Sequence, residues 1–222
     1  MVRTVIRDLL PRLPDIETLR QRCLALATLE AVASPEWQSR YYSFDPRWAD
    51  GEQMASMRNG SGDEYSIVFT GAGVFLRGFA HESNMSPAAN DEELWPGLLD
   101  GLPGVFQAQA SEPAFSYEGH LEATFCAWRE HADVQWRTGE VVDDPAVLLR
   151  DGSEMVEILC DGTGQAYQKF AEDYYERRFD LATIAQIYAG RPLTETMVAS
   201  LNTDTTLAEI ADEVTAMGYP VA

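Results

Sequence analysis

The sequence predicts an α+β fold, with a central, mostly antiparallel sheet over residues 41–160 flanked by an N-terminal helix and a C-terminal helical region. Three observations carry this. Apolar residues recur at helical spacing before residue 40, they alternate at strand spacing between about 54 and 82, and they return to helical spacing after 161. Strands grouped in the middle with helices at both ends argue against alternating βαβ units. With 222 residues, the chain reads as a single domain, 1–222.

The elements follow in order. Ile16, Leu19, Cys23, Leu26 and Leu29 line one helix after Pro14-Asp15, and Ser34-Pro35 stops it. Residues 64–70 alternate, with Tyr65, Ile67 and Phe69 on one face between the turns Asn59–Gly62 and Gly71-Ala72-Gly73. Residues 74–79 return antiparallel to them. A second strand pair is expected at 121–129 and 134–142, and a further strand at 154–160. Between the pairs, Asn90 to Glu93 resembles a capping box for a short helix. Tyr167, Phe170, Ala171 and Tyr174 line one late helix, and Leu181, Ile184, Ala185 and Tyr188 the next. Thr206 and Glu209 form a capping box that opens the last helix, which Gly218 ends.

Charge separates along the chain. Sixteen basic and thirty-six acidic residues give a net charge of −20. Residues 1–80 hold nine basic and ten acidic groups, and residues 81–222 hold seven and twenty-six. Such a field repels phosphate backbones and anionic lipid, so neither nucleic acid nor a membrane is an expected partner. Fifteen of the sixteen basic residues are arginine, a bias typical of GC-rich bacterial genomes. Three scattered cysteines without a CxxC pair, no signal-peptide pattern and no apolar run near ~18 residues place the chain in the cytoplasm.

The most distinctive stretch is Tyr41 to Trp48, with four aromatics in eight residues. Tyr42, Phe44, Arg47 and Trp48, with Arg58, are candidate binding residues, because aromatic and arginine side chains dominate interaction platforms. The competing reading puts Tyr42 and Phe44 in a sheet core with Trp48 at its edge. The acidic groups Asp91, Glu92 and Glu93, and Asp143 with Asp144, are the candidate contacts for a basic protein.

An alternative centre is Arg77, His81 and Glu82, where a strand end feeds a polar loop. Neighbours on an extended chain face opposite ways, and Ser83 lacks the strained turn of a nucleophile. His120 with Glu122 and His131 with Asp133 sit at opposite ends of one strand, so no metal site is expected. Asp161-Gly162-Thr163-Gly164 opens a helix, but the third glycine of a phosphate loop is Tyr167 and acidic residues surround it. No cofactor is expected.

Residues 41–86, with Phe44 to Phe69 at their heart, resemble a group of bacterial proteins without an assigned activity. Leu94 to Leu98 and Phe170 to Tyr175 are similar to segments of the same group. In class and charge the chain also resembles the SMI1/KNR4-type immunity proteins, which are acidic α+β binders of toxins. The residues together point to a non-enzymatic acidic binding protein, an immunity or antitoxin-type inhibitor of a basic protein. The alternative is a small hydrolase or transferase centred on His81 and Glu82.

Overall fold

A computed structural model of the chain describes residues 5–142 and 149–222. Asp143 and Asp144 therefore lie outside the described residues. The fold is α+β, with a five-stranded antiparallel sheet and helices at both ends. In chain order the helices are α1 (Ile6–Leu9), α2 (Ile16–Ala33), α3 (Gln107–Ala110), α4 (Gln165–Tyr174), α5 (Leu181–Tyr188), α6 (Glu195–Leu201) and α7 (Leu207–Met217). The strands are β1 (Tyr42–Ala49), β2 (Glu52–Arg58), β3 (Glu64–Phe69), β4 (Gly73–Phe79), β5 (Ser116–Tyr117), β6 (His120–Leu121) and β7 (Phe125–Glu130). The large sheet has the order β1-β2-β3-β4-β7, and β5 and β6 form a separate short hairpin.

By density of contacts the chain forms two compact units, residues 1–16 with 56–157, and residues 17–55 with 158–222. The first holds β3, β4 and β7, paired so that Ile67 faces Leu76 and Leu76 faces Ala127. Thr70 and Gly73 exchange backbone bonds across the β3–β4 turn, and the Thr70 hydroxyl accepts the N–H groups of Ala72 and Gly73. Residues 65–69 of β3 and 73–78 of β4 are buried on both faces, not one as strict alternation predicts. The segment after β4 explains it: it runs over the sheet in short 3-10 turns and sets the buried Phe106 ring 6.4 Å from Phe75.

The second unit is built on α2. Twelve of its eighteen residues are buried, including Thr28 and Glu30, so apolar side chains surround the helix instead of forming a stripe. Arg40, buried just before β1, holds the Glu213 carboxylate of α7 and the carbonyls of Ser34 and Pro35. Strand β1 forms an edge of the sheet, and Pro46 in it presents no N–H to a neighbour.

Three local expectations are overturned. Residues 153–160 form a 3-10 helix, not a strand, with Val156 and Leu159 fully buried at a three-residue interval. Within 134–142 strand pairing is reduced to one bridge, Arg137 to Trp128. Asn90 to Glu93 begins no helix: the Asn90 amide donates to the carbonyls of Glu93 and Leu94 instead of accepting N–H groups, and Asp91 and Glu92 adopt left-handed backbone at φ 54° and 65°.

Candidate functional site

Strand alternation decides what the aromatic stretch offers. In β1, Tyr42 and Phe44 point into the interior of their unit, 6% and 4% exposed, while Arg47 is exposed and Trp48 half-buried. Phe44 lies under the Arg20 guanidinium at 5.7 Å, and Tyr42 packs 5.3 Å from Phe170. Tyr41 meets Phe170 and Tyr174 at 4.8 and 4.6 Å, which leaves Tyr174 as the exposed ring of this cluster. Arg58 is exposed at the end of β2, in the other unit.

Beneath this cluster lies a carboxylate that no sequence motif marks. Glu30, 0% exposed on α2, accepts the Tyr41 N–H at 2.8 Å and the hydroxyls of Tyr167 and Tyr175, each at 3.0 Å. Burial raises its pKa, and these bonds offset the rise only in part. The same burial, with the Glu30 charge behind it, raises both tyrosine hydroxyls, so they remain donors.

Two other acidic residues, Glu64 and Glu122, meet Arg77. Its side chain, 2% exposed in β4, pairs with the Glu64 carboxylate, donates Nη1 to the Glu122 carbonyl at 2.7 Å and lies 5.0 Å over the Phe115 ring. The register explains the pairing, since Arg77 sits opposite Ser66 and Glu64 is two residues along on the same face. Burial raises the Glu122 pKa; Arg77 lowers it, while Glu92 and Glu64 raise it further. Glu122 thus feels the negative charges of Glu92 and Glu64 as well as the positive charge of Arg77. Asp91, Glu92 and Glu93 are all exposed. The Glu92 N–H donates to the Pro87 carbonyl at 2.9 Å, and the Glu93 N–H to that of Asn90 at 2.9 Å, which holds the two left-handed residues in place.

His81 and Glu82 are exposed after β4, and the His81 N–H donates to Asp63 at 2.8 Å. Ser83 is buried; its hydroxyl donates to the Arg150 carbonyl and accepts the Met85 N–H, so both of its functions are committed. A cleft of about 460 Å³ adjoins this loop, lined by Asp63, Glu82, Ser83, Arg150 and Glu154 among others. Arg77, the third member of the expected centre, spends donors on Glu64 and Glu122. His120 and His131 are both exposed, and among the described residues no group of three or more His, Cys, Asp or Glu could hold a metal.

At the start of α4, Asp161 takes the place a phosphate would occupy. Its carboxylate accepts the N–H groups of Thr163 and Ala166 at 2.8 Å each. No helix among the described residues is long and apolar enough to cross a membrane. The chain matches no family model, no curated protein and no solved structure.

Proposed function

We propose that the chain is a non-enzymatic acidic binding protein, an immunity or antitoxin-type inhibitor whose acidic surface receives a basic protein. One observation carries this reading: the buried Arg77 guanidinium is already paired with Glu64, and Glu122, whose carbonyl it holds, feels the negative charges of Glu92 and Glu64. A lysine- or arginine-rich partner segment laid on this surface offsets the repulsion of Glu122 by Glu92 and Glu64, which adds to the larger effect of burial on its pKa. The adjoining Asp91 and Glu92 hold a backbone conformation that costs on the order of 1–3 kcal/mol per residue, a feature that favours functional loops. The whole-chain charge of −20 adds long-range steering. Two buried free cysteines and one half-buried agree with a reducing compartment such as the cytoplasm.

The test is capture of a basic partner at low salt, followed by association kinetics for the wild type and for Glu92→Lys/Glu93→Lys. The reading expects an on-rate that falls steeply between low and physiological salt and falls again with charge reversal. An on-rate indifferent to both overturns it.

The second reading, a small hydrolase or transferase at His81 and Glu82, is favoured by the cleft beside that loop. It expects turnover in a broad substrate screen that His81→Ala abolishes without loss of fold.

A further inference from the structure

A second cavity, in the unit that holds β3, β4 and β7, is separate in chemistry from the acidic surface. It measures about 340 Å³ and its walls are mostly apolar, formed by Ile6, Met85, Leu98, Val141 and Leu149 among others. Asp151 and Thr124 also line it, as do the exposed Arg7 and Glu140. Asp151 is 3% exposed, and its carboxylate accepts two backbone N–H groups, Ile6 at 2.6 Å on Oδ2 and Ser153 at 3.0 Å on Oδ1. Each carboxylate oxygen accepts more than one hydrogen bond, so both keep acceptor capacity after these contacts. The Thr124 hydroxyl donates to the carbonyl of Asp151 at 2.6 Å, which ties the two lining residues together.

Another part of the lining is built by close backbone contact. A side chain on Gly139 would run into the carbonyls of Gly97 and Leu98, and one on Gly97 into that of Glu140. The Val142 N–H donates to the Pro96 carbonyl at 3.1 Å, and the Trp95 indole to the Val142 carbonyl at 3.1 Å. The apolar side chains of Leu98 and Val141 are therefore mounted on two strips of backbone clamped together. A mostly apolar cavity with one deeply buried carboxylate in its lining discriminates by charge. A neutral ligand fills the walls only, whereas a cationic one also forms a charge-assisted hydrogen bond away from water.

From this cavity we infer a binding site for a small apolar amine, its hydrocarbon body against Ile6, Met85, Leu98 and Leu149 and its ammonium group on Asp151. Benzylammonium is a probe of suitable size, and benzyl alcohol is its uncharged counterpart. Burial raises the Asp151 pKa, so the assay is run at pH 8, well above the ordinary carboxylate range. Physiological salt suppresses loose attraction of cations to the acidic surface.

Calorimetric titration of the full-length chain is expected to show one benzylammonium bound per chain, about tenfold or more tighter than benzyl alcohol. Asp151→Asn is expected to abolish that preference, and Val141→Phe, which adds bulk to the lining and leaves the carboxylate in place, to abolish binding of both probes. Should Asp151→Asn fail to fold, the amine–alcohol comparison and Val141→Phe still decide. Equal affinity for the two probes, binding of neither, or binding that survives Val141→Phe overturns the assignment. Each outcome leaves the salt-dependent capture proposed above untouched, because Glu92 and Glu93 are not used here.

Discussion

Glu30→Gln probes the most deeply buried acid in the second unit, and its effect follows from the three donors around it. Oε2 accepts both the Tyr41 N–H and the Tyr175 hydroxyl, and Oε1 accepts the Tyr167 hydroxyl. A glutamine serves this site best with its carbonyl toward the immovable Tyr41 N–H and its NH2 toward Tyr167, whose hydroxyl turns to accept. One tyrosine hydrogen then lacks an acceptor, a cost of about 1–3 kcal/mol, set against relief from burying a charge. The net change at a single pH is small, so the decisive reading is the pH dependence. Because burial raises the folded pKa of Glu30 above its ordinary 4.5, the unfolded chain releases this proton first as pH rises. The stability that protonated Glu30 contributes is complete below about pH 4.5 and is lost as pH rises through the folded pKa, by at most about 1.4 kcal/mol per pH unit. Urea unfolding of wild type and Glu30→Gln from pH 5 to pH 8, with hydrogen exchange at the α2 amides to follow this unit separately, isolates the effect. The stability of the wild type relative to the variant is expected to fall with rising pH. A flat or rising difference would refute the reasoning.

Arg77→Met is expected to destabilise the first unit by about 2–4 kcal/mol, read as a shift in urea midpoint, through lost packing on Phe115 and an orphaned Glu122 carbonyl. The figure stays below that of a fully buried pair because the Glu64 carboxylate left behind reaches water. Asp161→Ala removes the acceptor for two N–H groups at the start of α4 and is expected to cost about 1 kcal/mol. Burial alone would raise the Asp161 pKa, but the bonds from Thr163 and Ala166 outweigh it and the pKa is lowered; the contribution is therefore present above the ordinary carboxylate range and disappears as pH falls through the folded pKa. Native thiol titration should find Cys160 reacting first. Burial raises the Cys126 thiol to about 12 and Cys23 higher still, so fast modification of either would contradict their placement.

Where a sequence signal is local, it survives into the structure. The α7 capping box forms as Thr206 and Glu209 specify, α4 and α5 fall on their apolar periodicities, and α2 spans the expected residues although its buried side chains form no single stripe. The β3–β4 hairpin turns where the glycines predict. Each depends on residues a few positions apart, so the sequence carries the whole interaction.

Features that need distant residues stay hidden. The 153–160 segment has a strand-like apolar content, yet its packing selects a 3-10 turn. Glu30 looks like one more solvated acid until Tyr41, Tyr167 and Tyr175 close over it. Asp151 gains its meaning only from Ile6, 145 residues away.

By itself the sequence determined the fold class, the strong net charge and the local start and stop of most helices. Tertiary structure decided how the charge is arranged. The chain crosses between its two units, so the near-neutral first eighty residues are shared between them. The first unit carries eight basic and twenty acidic residues and the second eight and sixteen, and both are acidic in space. Burial then sorts the carboxylates, because leaving water raises a carboxyl pKa and only folding decides which groups leave it.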